Sequence, residues 1–176
     1  MRNRTFFDIG LTKMKFQGCL AYPYGTENFD GTMFESKYRS QVRDYLDKGP
    51  RHRIIFSETR LDGVSYLDIG KSLSELKSSA TAEYGPLELD STLANLIQNY
   101  SVETSAFGKV LAIKNLGFLF EGKLEFEFET FLARISRQQL VVILWDGDLD
   151  GNQLYFLTRK DGVEFDLSGL NYLMLK

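Results

Sequence analysis

Two glycines and a threonine lie where a phosphate-binding loop would occur. Gly25, Gly31 and Thr32 follow a predicted strand that ends at Tyr22, and they precede a helix predicted from about Phe34. Backbone N–H groups in such a loop and at a helix N-terminus can hold phosphate oxygens. The Walker A pattern places four residues between its glycines and then a lysine, whereas five residues separate these glycines and no lysine follows. We therefore predict an ordinary loop, in which Gly25, Gly31 and Thr32 would contact a cofactor only if a nucleotide binds.

Three alternating aspartates follow the most apolar stretch of the chain. Asp146, Asp148 and Asp150 precede Gly151, and carboxylates at alternate positions can converge on one calcium ion. The EF-hand pattern needs an acidic residue at loop position 12, where this sequence has Leu157, and no helix precedes the aspartates. A polar β-turn is the favoured interpretation, because Asp and Gly suit tight backbone geometry. The alternative is a metal site formed by the three aspartates.

Nucleophilic and histidine-based chemistry has few candidate residues. The chain contains one histidine, His52, and one cysteine, Cys19, so multi-histidine metal sites are excluded, and neither a catalytic triad nor a cysteine nucleophile is expected. The basic residues around His52 are predicted to be solvated. Two further arginines before the strand at 140–145 could face a phosphate or a partner carboxylate, although exposure at a helix end is favoured. These basic residues are Lys48, Arg51, Arg53, Arg134 and Arg137.

Apolar periodicity predicts the elements that would position these residues. Helices are predicted at 34–48, from Leu73 to about 79 with Ser72 as its cap, at 89–100 with Asp90 as its cap, and at 126–136. Strands are predicted in 1–24, at 53–56, 64–69, 110–113, 140–145, 154–157, 163–165 and 172–175.

This alternation predicts one α/β domain over residues 1–176. The continuous apolar runs at 110–113 and 140–145 are typical of parallel strands that are covered on both faces. The last three predicted strands, with a hairpin signal at Asp161-Gly162, indicate an antiparallel extension. We therefore expect a mostly parallel sheet flanked by helices, with C-terminal antiparallel strands.

Composition argues against several function classes. The net charge of −3 gives no general attraction for nucleic acid, which we expect to be contacted only indirectly, if at all. The N-terminal residues lack the apolar stretch of a signal peptide, and the longest apolar run is too short to cross a bilayer. We therefore expect a cytoplasmic protein that does not contact a membrane.

Residues 110–157 resemble the second half of a known protein family. Their apolar strand at 110–113, the pair Leu119-Phe120, a helix ending at Ser136-Arg137 and a second apolar strand ending at Gly147 occur in the order of the small P-loop protein of type 3 BREX phage-defence systems. Residues 66–76 are similar to the segment after that family's P-loop helix. The resemblance covers roughly half the chain and implies a P-loop-like α/β scaffold.

The departures from the family pattern bear on activity. Lys114 occupies the position of the Walker B aspartate, and Gly117 occupies that of the catalytic glutamate. ATP hydrolysis needs acidic and hydroxyl groups for magnesium, a water-orienting residue and cations on the phosphates. The resemblance thus implies a degenerate relative, in which Lys114 would meet a nucleotide only if one binds.

These observations together predict a non-catalytic interaction or scaffold subunit of a multi-protein complex, in prokaryotic phage defence, with protein partners and no cofactor. Three alternatives stay open at this point. They are an ATPase-like nucleotide-binding protein with unorthodox ligands, a calcium-stabilised binding module, and a small acidic inhibitor or immunity protein.

Overall fold

A computed structural model describes residues 36–79, 86–121, 124–160 and 162–176. The strands predicted in residues 1–24 and the glycine loop at 25–32 lie outside the described residues. The helices are α1 Ser36–Asp47, α2 Ile69–Ser79, α3 Pro86–Tyr100 and α4 Phe128–Ser136, with a 3-10 helix at Gly117–Phe120. The strands are β1 Ile54–Ser57, β2 Leu67–Asp68, β3 Val102–Thr104, β4 Gly108–Lys114, β5 Leu140–Leu144, β6 Gly147–Asp150, β7 Gln153–Phe156, β8 Val163–Asp166 and β9 Tyr172–Leu175.

The main sheet is mostly parallel, which confirms the predicted α/β class. Its strands lie in the order β2-β4-β5-β1-β9, all parallel, and β3 joins β4 in antiparallel orientation. The central strand β5 is paired on both edges, with Val141 opposite Ile54 of β1 and opposite Leu111 of β4. Residues 140–143 are buried because neighbouring strands cover both edges of β5 and a hydrophobic cluster covers each of its faces.

A second sheet follows the carboxyl end of β5 and is antiparallel, with the order β6-β7-β8. The predicted pairing of β7 with β8 is confirmed. The prediction was wrong for residues 172–175, because β9 pairs in parallel with β1 of the main sheet instead of extending the antiparallel strands. Leu175 is 1% exposed because it packs into the hydrophobic cluster that contains Val42 of α1 and Ile55 of β1.

One aromatic cluster joins the two sheets. Trp145, which follows β5, lies within 6.1 Å of the rings of Phe56 on β1, Phe128 on α4 and Phe165 on β8. Its Nε1–H donates to the backbone oxygen of Tyr155 at 3.0 Å. The two sheets therefore share one hydrophobic core, and the second sheet is not attached by its connections alone.

Several element boundaries differ from those predicted. The strand expected at 64–69 is only Leu67–Asp68, and α2 begins at Ile69 instead of Leu73, because Asp68 accepts a hydrogen bond in its first turn instead of Ser72. The third helix begins at Pro86, so Asp90 lies within it. The turn expected at the alternating aspartates is strand β6, and β3 was not predicted. None of the described helices is long and apolar enough to cross a membrane.

Candidate functional site

A polar pocket lies at the carboxyl ends of β2 and β4, where parallel α/β sheets commonly bind ligands. It has a volume of about 340 Å³ and contains Lys114, the one described residue among the predicted cofactor-contacting positions. The first turn of α2 contributes Lys71 and Ser72, and the loop after β1 contributes Arg60 and Tyr66. Cationic and anionic side chains therefore line the same pocket.

Asp68 lines this pocket, and its carboxylate already contacts three groups of the protein. Its carboxylate lies 3.3 Å from the Lys114 ammonium and accepts hydrogen bonds from Asn115 Nδ2 at 3.0 Å and from the Lys71 N–H at 2.9 Å. Partial burial raises the pKa of Asp68, but these bonds from Lys71, Asn115 and Lys114 outweigh it and hold the pKa below its ordinary value. The Lys114 charge is thus neutralised, and a triphosphate would have to compete with Asp68 for it.

A close backbone approach fixes this arrangement. The Gly70 N–H donates to the backbone oxygen of Asn115 at 3.0 Å, and a Cβ on Gly70 would lie 2.9 Å from the side-chain Nδ2 of Asn115. Asn115 itself has a φ of 56°, a left-handed conformation that Asn tolerates better than most residues. The polar contacts around Asp68 therefore hold α2 against β4, and their role in this structure is to stabilise the fold.

Gly117, at the position that the resemblance assigned to a catalytic glutamate, is enclosed by packing. A Cβ at Gly117 would lie 2.9 Å from Cζ of Phe156, on strand β7 of the second sheet. A side chain at this position would require a shift of the Phe156 ring, whose centre lies 5.6 Å from that of Trp145. The absence of a side chain at position 117 is thus explained by packing at the junction of the two sheets.

The three alternating aspartates lie on and beside β6, and they do not converge. Two of them flank one guanidinium group: Asp150 Oδ2 is 2.8 Å from Arg159 Nη1, and Asp148 Oδ2 is 3.5 Å from Arg159 Nε. Leu157, at the EF-hand position 12, is 62% exposed, and its N–H donates to the backbone oxygen of Asp146. Among the described residues, no three His, Cys, Asp or Glu side chains are placed to hold a metal ion. Calcium binding by Asp146, Asp148 and Asp150 stays a prediction that this geometry does not favour.

The outer face of the second sheet, which we call the acidic face, gathers four exposed carboxylates. Directly opposed residues of paired antiparallel strands lie on the same face of a sheet. One row across the strands is Asp148, Tyr155 and Glu164, and the next is Asp150, Gln153 and Asp166. The alternate residues Leu149, Leu154 and Phe165 lie on the opposite face and pack into the core. The acidic face is therefore the residues Asp148, Asp150, Gln153, Tyr155, Glu164 and Asp166, with Arg159 beside them.

Charge on the acidic face is only partly balanced. Arg159 pairs with both aspartates of β6, and its guanidinium carbon lies 5.8 Å from the centre of the Tyr155 ring. On β8, hydrogen bonds from the Ser168 N–H and hydroxyl group lower the pKa of Asp166, so this carboxylate stays ionised well below neutral pH. Glu164 makes no ion pair with any described residue. The β8 side of the face thus presents uncompensated negative charge around an aromatic ring.

The structure separates the basic residues that the sequence grouped before β5. Arg134 pairs with Asp90 of α3 at 3.2 Å, whereas Arg137, the residue after α4, is close enough to His52 for its charge to lower the pKa of that imidazole. Gly25, Gly31 and Thr32 lie outside the described residues. Sequence reasoning missed the acidic face because it interpreted the aspartates as one loop. The signal was present in the period of two, which places Asp148 with Asp150, and Glu164 with Asp166, on one side of a strand.

Comparisons with known proteins identify no relative. No protein-family model, no curated protein and no solved structure matches this chain.

Proposed function

We propose that this protein is a non-catalytic protein-binding module whose partner binds the acidic face of the second sheet. The observation that carries the proposal is the pair of rows formed by β6, β7 and β8, with four exposed carboxylates around Tyr155. Tyrosine is enriched at protein interfaces, where its ring gives contact area and its hydroxyl group gives a hydrogen bond. Complementary charge sets the orientation and raises the rate of association more than it raises affinity.

The engaged state of the polar pocket supports a non-catalytic role. Lys114 is neutralised by Asp68, and Gly117 is packed against Phe156, so neither position has a free group for magnesium or for the attacking water. The ATPase-like alternative requires a triphosphate to displace the Asp68 carboxylate from Lys114. Calorimetric titration with ATP and magnesium tests that alternative directly, because micromolar affinity would support it.

A partner with a basic surface fits the acidic face. Negative charge there would repel nucleic acid phosphates, so any contact with nucleic acid would pass through the partner. A subunit of a phage-defence complex and a small acidic inhibitor of a basic protein both fit this surface. Of these two hypotheses, the resemblance of residues 110–157 supports the defence complex, which is therefore our proposed biological setting.

A charge-reversal pair tests the surface. The protein would be expressed with a tag in its native host, and its partners would be identified by crosslinking and mass spectrometry for the wild type, Glu164→Lys and Glu58→Lys. Both glutamates are exposed, but Glu58 follows β1 and lies outside the acidic face. We expect Glu164→Lys to reduce recovery of a specific partner at least tenfold and Glu58→Lys to leave it unchanged.

The partner so identified would then be purified and its affinity measured. We expect the affinity of the wild type to fall as the salt concentration rises from about 50 to about 500 mM, because salt screens the attraction between exposed charges. The affinity of Glu164→Lys should depend less on salt. Equal binding by the two variants would remove the acidic face from the proposal. Turnover of a substrate by the purified protein would refute the non-catalytic role.

A further inference from the structure

His52 has a buried imidazole at the amino end of the main sheet, two residues before β1. It is 3% exposed, and neither Nδ1 nor Nε2 has a hydrogen-bond partner among the described residues. Buried polar groups are nearly always hydrogen-bonded in folded proteins, so an exception indicates a partner from outside the described residues. The sequence contains no other histidine.

A second buried polar group lies on the neighbouring segment. The Arg53 N–H donates to the backbone oxygen of Ser136 at 3.1 Å, and the Val141 N–H donates to the Arg53 oxygen at 2.8 Å. The first of these bonds places Arg53, which follows His52, against Ser136, which precedes Arg137. Ser136 is fully buried, and its hydroxyl group also lacks a hydrogen-bond partner within the described part of the chain.

Two exposed guanidinium groups accompany these buried donors. Arg137 at the end of α4 and Arg51 before β1 are exposed, and neither forms an ion pair with a described carboxylate. Burial is the largest cause that lowers the pKa of His52, and the positive charges of Arg137 and Arg51 lower it further. From α1, the neutral Tyr45 hydroxyl group contacts the His52 backbone oxygen at 2.7 Å. Positive charge therefore accumulates here without a described counter-charge.

We propose that Arg51, His52 and Arg137 form a binding site for a phosphate group. Planar guanidinium groups offer paired N–H donors that match phosphate oxygens, and arginine clusters recognise phosphorylated ligands. A phosphate dianion balances the charge of two arginines, and an imidazole N–H of His52 is a further donor to its oxygens. Inorganic phosphate and a phosphate ester share this chemistry. The site lies at the opposite end of β1 and β5 from the second sheet, so it is independent of the acidic face.

The single histidine makes the site observable by NMR. Long-range ¹H–¹⁵N spectra of the imidazole would be recorded during titration with sodium phosphate, with phenyl phosphate as the ester, and with sodium chloride at matched ionic strength. We expect saturable shifts with phosphate or its ester and only small, unsaturated shifts with chloride. The bound anion should also raise the pKa of His52, since it favours the imidazolium form.

Arg134 in α4 and Arg137, the residue after that helix, give a matched pair of variants. Arg137→Gln removes a proposed ligand, and Arg134→Gln removes an exposed arginine that pairs with Asp90 instead. We expect the dissociation constant for phosphate to rise at least tenfold in Arg137→Gln and to be unchanged in Arg134→Gln. If Arg137→Gln does not fold, Arg137→Lys keeps the charge but loses the guanidinium fork, and we expect it to weaken binding at least threefold.

Binding of phenyl phosphate alone would assign the site to phosphorylated molecules, and equal binding of both ligands would assign it to the phosphate group itself. The proposal would be overturned by imidazole shifts with phosphate that match those with chloride. Unchanged phosphate affinity in Arg137→Gln, or in Arg137→Lys where that variant is needed, would also overturn it.

Discussion

Phe165 is the side chain through which strand β8 is held to the rest of the molecule. The other residues of β8 are exposed, whereas Phe165 is 6% exposed and its ring lies 4.7 Å from the rings of both Phe120 and Phe128. Replacing a buried phenylalanine with alanine costs about 3–5 kcal/mol, because apolar burial is lost and a cavity remains. We expect Phe165→Ala to cost about 3 kcal/mol, the lower end of that range, since the partly exposed Phe120 ring and an edge strand can relax into the space.

The assay for this substitution uses the only tryptophan of the chain. Trp145 lies 6.1 Å from Phe165 and is buried, so its fluorescence reports urea unfolding of the shared core. With a urea dependence of about 2 kcal/mol per molar, a loss of about 3 kcal/mol lowers the midpoint by about 1.5 M. The control is Val163→Ala on the same strand, where the side chain is 42% exposed and the expected change is within about 0.5 kcal/mol.

Circular dichroism would accompany the fluorescence, because Phe165→Ala alters the surroundings of the reporter itself. Equal midpoints for Phe165→Ala and Val163→Ala would refute the reasoning that one buried ring anchors β8. Two separate transitions in the wild type would refute the shared core, because a common hydrophobic cluster should unfold as one cooperative unit.

Three further predictions concern the pocket, the sheet junction and the buried imidazole. Asp68→Ala should lower the free energy of unfolding by about 1–2 kcal/mol in urea titrations, because α2 loses its first-turn acceptor and Lys114 its partner; an unchanged value would mean that the ion pair and the cap contribute nothing. Gly117→Ala should destabilise by about 1–3 kcal/mol through its clash with the Phe156 ring, with melting temperature as the measurement; a melting temperature equal to the wild type would show that the ring moves freely. The folded pKa of His52 lies below the unfolded value of 6.5, so the stability is fully present above about pH 6.5 and falls as the pH drops towards the folded pKa. Urea midpoints from pH 8 to 5 should show this decline in the wild type and a smaller one in His52→Gln, and identical profiles would contradict it.

The main sheet was predictable from sequence because its signals are local. The apolar runs of β4 and β5 are long enough to specify buried strands by themselves, and α1 and α4 show a helical period in their apolar residues. Strand β9 shows where local signals end. Its apolar residues suit either sheet, and its assignment to β1 depends on a pairing between residues more than a hundred positions apart in the sequence. Periodicity therefore indicated that a strand exists but not which strand pairs with it.

Local sequence patterns were also insufficient to identify the candidate sites. The spacing of Asp148 and Asp150 is compatible with a loop that surrounds a cation and with a strand that displays both carboxylates on one face, and residues 146–151 alone do not decide between them. Trp145 favours the strand, because its ring packs in the core and its Nε1–H donates to the backbone oxygen of Tyr155. With β6 paired to β7, the two aspartates lie on the exposed face. Gly117 follows the same logic, since its lack of a side chain is explained by Phe156, which is distant in sequence. Considered alone, Gly117 resembles an altered nucleotide-site residue and the aspartates resemble a cation loop. In the assembled sheets Gly117 lies at the aromatic junction, and Asp148 and Asp150 lie on the exposed face of β6. The acidic face is therefore a product of the packing between the two sheets, and a substitution that loosens this packing should weaken partner binding even though it removes no charge.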